Sequence, residues 1–180
     1  MAAKQNPKTV KPNRRTLSLV SLLTGLAIIL LLMSIFYWWR RSSEAMPMAC
    51  TTNNLKLTAG QQEGAAGTIY QHMILTNTGT QSCSISGYPT AFLYGSNGYA
   101  LGNGAAARPS PAPLDITLAP NNTANTVLGY PQAGNFNPGV CTAQSTTLKL
   151  YPPSATTPLE TPLQVAWCPG FSESSMQSGN

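Results

Sequence analysis

The sequence predicts an all-β antiparallel sandwich that is preceded by a single N-terminal transmembrane helix. Three observations lead to this prediction. Residues 17–39 contain no charged side chain. From residue 50 onward, short runs rich in β-branched and aromatic residues recur between turn signals, at the spacing of an antiparallel sandwich. All four cysteines lie in that second part of the chain, which is typical of a disulfide-bonded domain outside the cytoplasm.

The helix prediction rests on residues 17–39. At about 1.5 Å per residue this run is long enough to cross a hydrocarbon core of about 30 Å. Amphipathic rings prefer the level of the lipid headgroups. A belt at the membrane interface is therefore predicted at the end of the run, formed by Tyr37, Trp38, Trp39, Arg40 and Arg41. The lipid bilayer is the first predicted partner of the chain.

The distribution of charge orients this helix. Five of the ten lysine and arginine residues precede it and two follow it directly, so the positive-inside rule places residues 1–16 in the cytoplasm as a basic tail. Residues 40–49 then form a stalk. We expect a single-pass protein of the cell membrane with a cytoplasmic N-terminus and an extracytoplasmic C-terminal domain. The alternatives are a signal peptide that is cleaved after Ala45 and lipid modification of Cys50.

The composition narrows the classes of function. Only 8% of the residues are charged, against roughly 25% in an average soluble domain. This excludes a coiled coil and a disordered polyelectrolyte. Beyond residue 41 the chain has three basic and five acidic residues, so no basic face for nucleic acid is expected. So few titratable groups also argue against acid–base catalysis, and we expect no enzyme activity.

The predicted β domain covers residues 50–170, and residues 171–180 are predicted to form a polar, frayed tail. Nothing between residues 50 and 170 has helical periodicity. In the longest predicted strand, alternation places Met73 and Leu75 on one face. The predicted strands are residues 55–58, 68–77, 83–86, 90–94, 114–118, 123–128, 146–151 and 163–167.

Several motifs of this domain resemble a known family. They lie at residues 64–70 (GAAGTIY), 75–79 (LTNTG), 82–89 (SCSISGYP), 118–121 (LAPN), 139–141 (GVC) and at Cys168. Together they resemble the bacterial secreted domain-of-unknown-function family four-two-three-two over essentially all of residues 50–168. The resemblance implies an extracytoplasmic, often membrane-anchored, Ig-like β-sandwich, and no assigned activity from which a functional residue would follow. Asn121 stands where that family usually has glycine, and both residues accept a left-handed backbone.

The cysteines are expected to form two disulfides in an oxidising compartment, and three pairings are possible. Cys50 precedes the first predicted strand, and Cys83 follows the second. If those strands pair antiparallel, the start of the first lies beside the end of the second. The same argument joins Cys141 to Cys168, so the predicted disulfides are Cys50–Cys83 and Cys141–Cys168.

The sequence offers few residues for a catalytic or metal site. His72 is the one histidine, and no cysteine is free if all four are bridged. Adjacent residues of a strand point to opposite faces, so His72 and Met73 do not share a metal site. No nucleophile elbow is present for a Ser-His-Asp triad. We expect no metal and no cofactor, and the alternative function is a secreted hydrolase or a metal-binding domain.

Aromatic residues are better candidates for binding. Those nearest to turns or strand ends are Tyr88, Tyr99, Tyr130 and Phe136. Rings beside asparagine and glutamine can hold an envelope glycan or a partner protein. Trp167 is expected to pack in the core instead. The sequence thus predicts a membrane-anchored, extracytoplasmic, non-catalytic binding or scaffolding domain of the bacterial cell envelope.

Overall fold

The computed structural model describes the backbone of residues 14–41 and 47–179, with the side chains of residues 23–39 and 47–179. The chain divides into two compact units, Met1–Met46 and Pro47–Asn180. Parts of the predicted features lie outside the described residues: the basic tail up to residue 13, the side chains of residues 14–22, the side chains of Arg40 and Arg41, residues 42–46 of the stalk, and Asn180.

Helix α1 (Arg14–Arg41) covers the predicted apolar segment and includes the arginines on either side of it. Its described large apolar side chains, from Leu23 to Trp39, are exposed. The hydroxyl of Ser34 donates a hydrogen bond of 2.8 Å to the carbonyl oxygen of Leu31, so this polar group is satisfied within the helix. Within the described part of the chain, no helix combines the length and the apolar content that crossing a membrane requires.

The second unit is built from short strands. The bounds are β1 (Leu55–Ala65), β2 (Thr68–Asn77), β3 (Cys83–Ile85), β4 (Thr90–Tyr94), β5 (Ala106–Ala107), β6 (Ile116–Leu118), β7 (Thr123–Pro131), β8 (Thr147–Tyr151), β9 (Leu159–Pro162), β10 (Ser172–Glu173) and β11 (Gln177–Ser178), with 3₁₀ helices at Thr52–Asn54 and Ala133–Asn135. The main sheet has the order β1-β2-β7-β10-β5, and β11 also pairs with β7. The second sheet has the order β4-β8-β9, and β3 pairs with β6. Apart from the parallel pair of β10 and β5, the strands pair antiparallel, so the predicted all-β antiparallel character is confirmed.

Strand β2 has the bounds that the sequence predicts, and it pairs with β1 on one side and β7 on the other. Met73 and Leu75 are fully buried, as their shared face requires. Strand β1 is irregular between Ala59 and Gln62, whose partners in β2 are Met73 and Gln71. The side-chain amide of Gln71 donates a hydrogen bond of 2.8 Å to the carbonyl oxygen of Gly60, which satisfies a backbone group that the irregularity leaves unpaired.

Side chains from both larger sheets form one core. The main sheet contributes Met73, Leu75 and Leu128, and the second sheet contributes Leu93, Leu148 and Leu150. These side chains alternate with outward-facing ones along their strands, because successive side chains of a strand point to opposite faces. The outward face of each sheet is therefore available to contacts outside the core.

Asn121 lies in the turn between β6 and β7. Its φ of 67° falls in the left-handed region, which asparagine tolerates better than most residues do. Its backbone amide donates a hydrogen bond of 2.8 Å to the carbonyl oxygen of Asn77 at the end of β2. Asparagine in place of the family's usual glycine is therefore compatible with this turn.

The structure places disulfides between Cys50 and Cys83 and between Cys141 and Cys168, the pairs that the sequence predicts. The first pair closes the end of the β1–β2 hairpin, as the adjacency of those strands requires. The second pair, Cys141–Cys168, does not lie at the ends of two regular paired strands. Residues 163–167 are not a regular strand, but the backbone amide of Trp167 donates a hydrogen bond of 2.9 Å to the carbonyl oxygen of Ala143. This contact brings the two cysteines to the same end of the domain.

The C-terminal residues differ from the prediction of a frayed tail. Residues 171–178, which we call the C-terminal strap, contain β10 and β11 and pair with β7. Phe171 and Met176 are buried in the core. Two serines between them form internal hydrogen bonds: the hydroxyl of Ser174 accepts one of 2.9 Å from the backbone amide of Val127, and the hydroxyl of Ser175 donates one of 2.7 Å to the carbonyl oxygen of Pro111. The domain therefore extends beyond the predicted boundary at residue 170.

Candidate functional site

The outward surface of the second sheet carries a group of aromatic and charged side chains. Ala91 and Leu93 of β4 are buried, so the alternate residues of this strand face outward. The same alternation applies to β8, where Leu148 and Leu150 are buried. We call the resulting surface the aromatic face; it consists of Phe92, Tyr94, Lys149, Tyr151 and Glu160.

The strand register brings these residues together from three separate parts of the chain. Phe92 lies opposite Lys149, and Lys149 lies opposite Glu160. The rings of Phe92 and Tyr151 meet edge to face, with their centroids 6.2 Å apart. Aromatic pairs in this arrangement stabilise each other beyond the area they bury. The aromatic face is therefore an ordered surface and not a set of independent side chains.

Lys149 lies at the centre of the aromatic face. Its ammonium nitrogen Nζ lies 4.6 Å from the centroid of the Tyr94 ring, at the distance of a cation–π contact. The same nitrogen lies 2.8 Å from Oε1 of Glu160. The hydrogen bond to Glu160 raises the pKa of Lys149 above its ordinary value. Since Lys149 and Glu160 form an ion pair, together they add no net charge to the face.

A glycine-containing loop borders the aromatic face along the edge of β4 that does not pair with β8. The backbone amides of Leu101 and Ala105 donate hydrogen bonds of 2.7 and 2.8 Å to the carbonyl oxygens of Leu93 and Ala91. A Cβ at Gly104 would lie 2.8 Å from Cε1 of the Phe92 ring. The absence of a side chain at Gly104 is therefore what allows this loop to pack against the ring.

The four aromatic residues predicted for binding are not brought together by the described contacts. Tyr99 is 73% exposed. It lies beside the end of β4, because the next residue, Ala100, forms a β-bridge with Tyr94. Tyr88 and Phe136 are half-buried. Tyr130 is only 4% exposed, and its hydroxyl accepts a hydrogen bond from the side-chain amide of Gln62. Tyr130 lies in the core because β7 extends past the predicted strand end and includes this residue.

The pattern that reveals the aromatic face was present in the sequence. In residues 91–94 and 148–151, aromatic or charged residues alternate with Ala91, Leu93, Leu148 and Leu150. Assigning the aliphatic set to the core leaves the other set on the outside. The sequence did not show that these two strands are neighbours, so the combination of Phe92 with Lys149 and Glu160 was missed.

The main sheet carries the one histidine. Nε2 of His72 lies 3.9 Å from Oε1 of Glu63, and both side chains are partly or largely exposed. Among the residues that the structure describes, no group of three or more His, Cys, Asp or Glu side chains is placed to hold a metal ion. Near this pair, the guanidinium of Arg108 lies 5.2 Å from the centroid of the Tyr70 ring. This contact resembles that of Lys149 with Tyr94, but it lies on the other sheet.

Trp167 packs against the core, as the sequence predicts. Its indole ring lies against Gly102, whose φ of 68° also favours glycine. The indole nitrogen Nε1 is buried and has no hydrogen-bond partner among the described residues. The ring thus serves as a packing surface for the loop that borders the aromatic face.

Comparison with known proteins gives one positive finding. A family model described as a domain of unknown function matches residues 50–178. The match includes the C-terminal strap, which agrees with its place in the sheet. The comparison with curated proteins found no match, and the comparison with solved structures found none either.

Proposed function

From the premise that the chain belongs to the family of the domain of unknown function DUF4232, we propose that it is a membrane-anchored, extracytoplasmic domain of the bacterial cell envelope. This domain binds a neutral glycan through the aromatic face and catalyses no reaction. In this proposal the two larger sheets form an Ig-like sandwich, and α1 is its single transmembrane anchor. The observation that carries the proposal is the aromatic face itself, with three rings around one ion pair.

The apolar surface of α1 supports the membrane anchor. Between Leu23 and Trp39 its large apolar residues are exposed along the whole segment. An apolar helix of this kind needs a lipid environment or a partner helix. Five basic residues precede the apolar segment and two follow it, which favours a cytoplasmic N-terminus.

Protease protection tests this orientation. Protease added to intact cells is expected to remove the C-terminal domain while an N-terminal tag stays protected, because the basic residues hold the N-terminus inside. The measurement is immunoblotting for tags at both ends, with permeabilised cells as the control. An N-terminal tag that is digested in intact cells, or a mature protein that starts near Met46, would contradict the proposal.

The chemistry of the aromatic face favours a sugar as the ligand. Sugar rings present apolar C–H groups, which pack against aromatic side chains such as Phe92 and Tyr151. Their hydroxyl groups form hydrogen bonds, and those to charged groups such as Lys149 and Glu160 are the stronger ones. Because Lys149 and Glu160 neutralise each other, the face offers no net charge to an ionic ligand.

Binding to isolated cell-envelope polysaccharide tests this function. The full-length protein in detergent is expected to be retained, and Tyr94→Ala and Tyr151→Ala are each expected to weaken binding by about tenfold or more, since rings at the centre of a binding surface contribute most. Tyr70→Ala is the matched control, because Tyr70 is also half-buried and also lies beneath a cation, on the other sheet.

Salt provides the second arm of this experiment. Raising the salt concentration from about 50 to about 200 mM is expected to change the affinity by less than about threefold, because charge attraction contributes little. Retention that collapses over this range would contradict a neutral ligand. Equal losses in the Tyr94, Tyr151 and Tyr70 variants would place the binding surface elsewhere, and retention on an envelope protein instead of polysaccharide would overturn the choice of ligand.

A further inference from the structure

Glu173, on β10 of the C-terminal strap, has an unusual position for a carboxyl group. It is only 3% exposed, and its oxygen Oε2 is buried without a hydrogen-bond partner in the described part of the structure. The backbone amide of Ala91, on β4, donates a hydrogen bond to the carboxyl group. Since β10 belongs to the main sheet and β4 to the second sheet, this one side chain spans the gap between the two sheets.

Arg108 contacts Glu173 through its backbone but forms no ion pair with the carboxyl group. Arg108 follows β5, and its backbone amide donates a hydrogen bond of 2.8 Å to the carbonyl oxygen of Glu173. Its guanidinium instead donates a hydrogen bond of 2.7 Å to the carbonyl oxygen of Val127 and lies over the ring of Tyr70. Among the described residues, no ion pair includes Glu173.

The other titratable groups on the strands around Glu173 are also engaged elsewhere. On β7 the hydroxyl of Tyr130 accepts its hydrogen bond from Gln62, and on β4 the ring of Tyr94 lies against Lys149. The residues paired directly with Glu173, Leu128 on β7 and Ala107 on β5, carry no charge.

A carboxylate that is buried without a cation is strongly disfavoured, because it loses its hydration and gains no opposite charge in return. Burial accordingly raises the pKa of Glu173 from 4.5 to about 8, and the hydrogen bond from Ala91 opposes this only in part. At neutral pH the buried group therefore carries its proton.

We propose that Glu173 is a proton-dependent latch, which in its protonated form fastens the C-terminal strap to the edge of β4 and on ionisation releases it. The strap also completes the core through Met176 and pairs with the edge of β7. Ionisation therefore weakens the closure between the two sheets at alkaline pH and leaves the β1–β2 hairpin and its disulfide in place.

The direction of the pH dependence follows from the raised pKa. The folded state binds this proton more tightly than the unfolded state does, so its contribution to stability is present below about pH 4.5 and is lost as the pH rises through about 8. Hydrogen exchange of the full-length protein measures the release directly. The protection factors of the Ser174 and Met176 amides are expected to fall by about tenfold or more between about pH 6 and about pH 9, with little change in strand β2.

Two variants separate the latch from general effects of pH. Glu173→Gln keeps a hydrogen-bond acceptor for Ala91 but cannot ionise, so strap protection is expected to stay constant over the same range. Asp115→Asn, at an exposed carboxyl group, is the matched control and is expected to behave like the wild type. Strap protection in Glu173→Gln that falls as steeply as in the wild type would overturn the proposal.

A measurement on the unaltered protein keeps the proposal testable if Glu173→Gln does not fold. The carboxyl carbon of Glu173 can be followed by NMR through a pH titration. A midpoint near 8 is the expected result, and a midpoint near 4.5 would overturn the proposal.

Discussion

Met176→Ala is expected to lower the free energy of unfolding of the β domain by about 2–5 kcal/mol, the usual cost of removing most of a large buried side chain. Met176 is fully buried within the core cluster. Its backbone amide donates a hydrogen bond of 2.8 Å to the carbonyl oxygen of Gly87, so the surrounding chain cannot easily collapse into the space that is left. Denaturation with urea, followed by tryptophan fluorescence, gives this value.

Met48→Ala is the matched control, because Met48 is 77% exposed. Its effect is expected to stay within about 0.5 kcal/mol, as for most surface substitutions. Deletion of residues 171–180 is expected to destabilise the domain more than Met176→Ala does and to abolish cooperative unfolding. The deletion removes both strands that cover the edge of β7. A truncated protein that unfolds like the wild type would restore the prediction of a frayed tail.

Removal of either disulfide is expected to lower the free energy of unfolding by an amount comparable to the effect of Met176→Ala. Loop-closure arithmetic for sequence separations of 33 and 27 residues gives about 3.5 kcal/mol for each bond. The paired variants Cys50→Ala/Cys83→Ala and Cys141→Ala/Cys168→Ala are the appropriate test, because alanine leaves no new polar group in these sites. Since a domain has only about 5–15 kcal/mol in total, loss of both bonds is expected to prevent folding.

Peptide mapping without reduction checks the pairing on which this estimate rests. Crosslinked peptides are expected to contain Cys50 with Cys83 and Cys141 with Cys168. A peptide that joins Cys83 to Cys141, or Cys50 to Cys168, would contradict both the pairing and the strand adjacency behind it. A cost below about 1 kcal/mol for either paired variant would contradict the loop-closure argument.

Local alternation explains why part of this fold was predictable. Strand β2 was predicted to its ends, because apolar residues at every second position, such as Met73 and Leu75, define a buried face without reference to the rest of the chain. The disulfides followed from one further assumption, that neighbouring strands in the sequence pair antiparallel. That assumption holds for β1 with β2, whereas the strand that pairs with β8 is β9 and not the predicted strand at residues 163–167.

The C-terminal strap was not predictable in the same way. Its composition is polar, and only Phe171 and Met176 are strongly apolar. Ser174 and Ser175 are nevertheless buried, because their hydroxyls form hydrogen bonds with backbone groups of distant segments. Such partners depend on tertiary contacts, which a local pattern does not contain.

The aromatic face was hidden for a related reason. Phe92 and Lys149 lie in strands that are far apart in the sequence, and only the register between β4 and β8 makes them neighbours. The rings near predicted turns include Tyr130, which the extended β7 buries. Local patterns identified which residues face outward in a strand, whereas the combination of strands into one surface required the topology.

The most direct test of the proposed binding role is a titration of the full-length, isotope-labelled protein with soluble fragments of envelope polysaccharide, followed residue by residue by NMR. Chemical-shift changes are expected to concentrate on Phe92, Tyr94, Lys149, Tyr151 and Glu160, and Tyr70 on the other sheet is expected to stay unchanged. Changes confined to Tyr88 and Phe136, or spread evenly over the domain, would contradict the aromatic face as the binding site. The absence of any change at saturating concentrations of every fragment would contradict glycan binding itself.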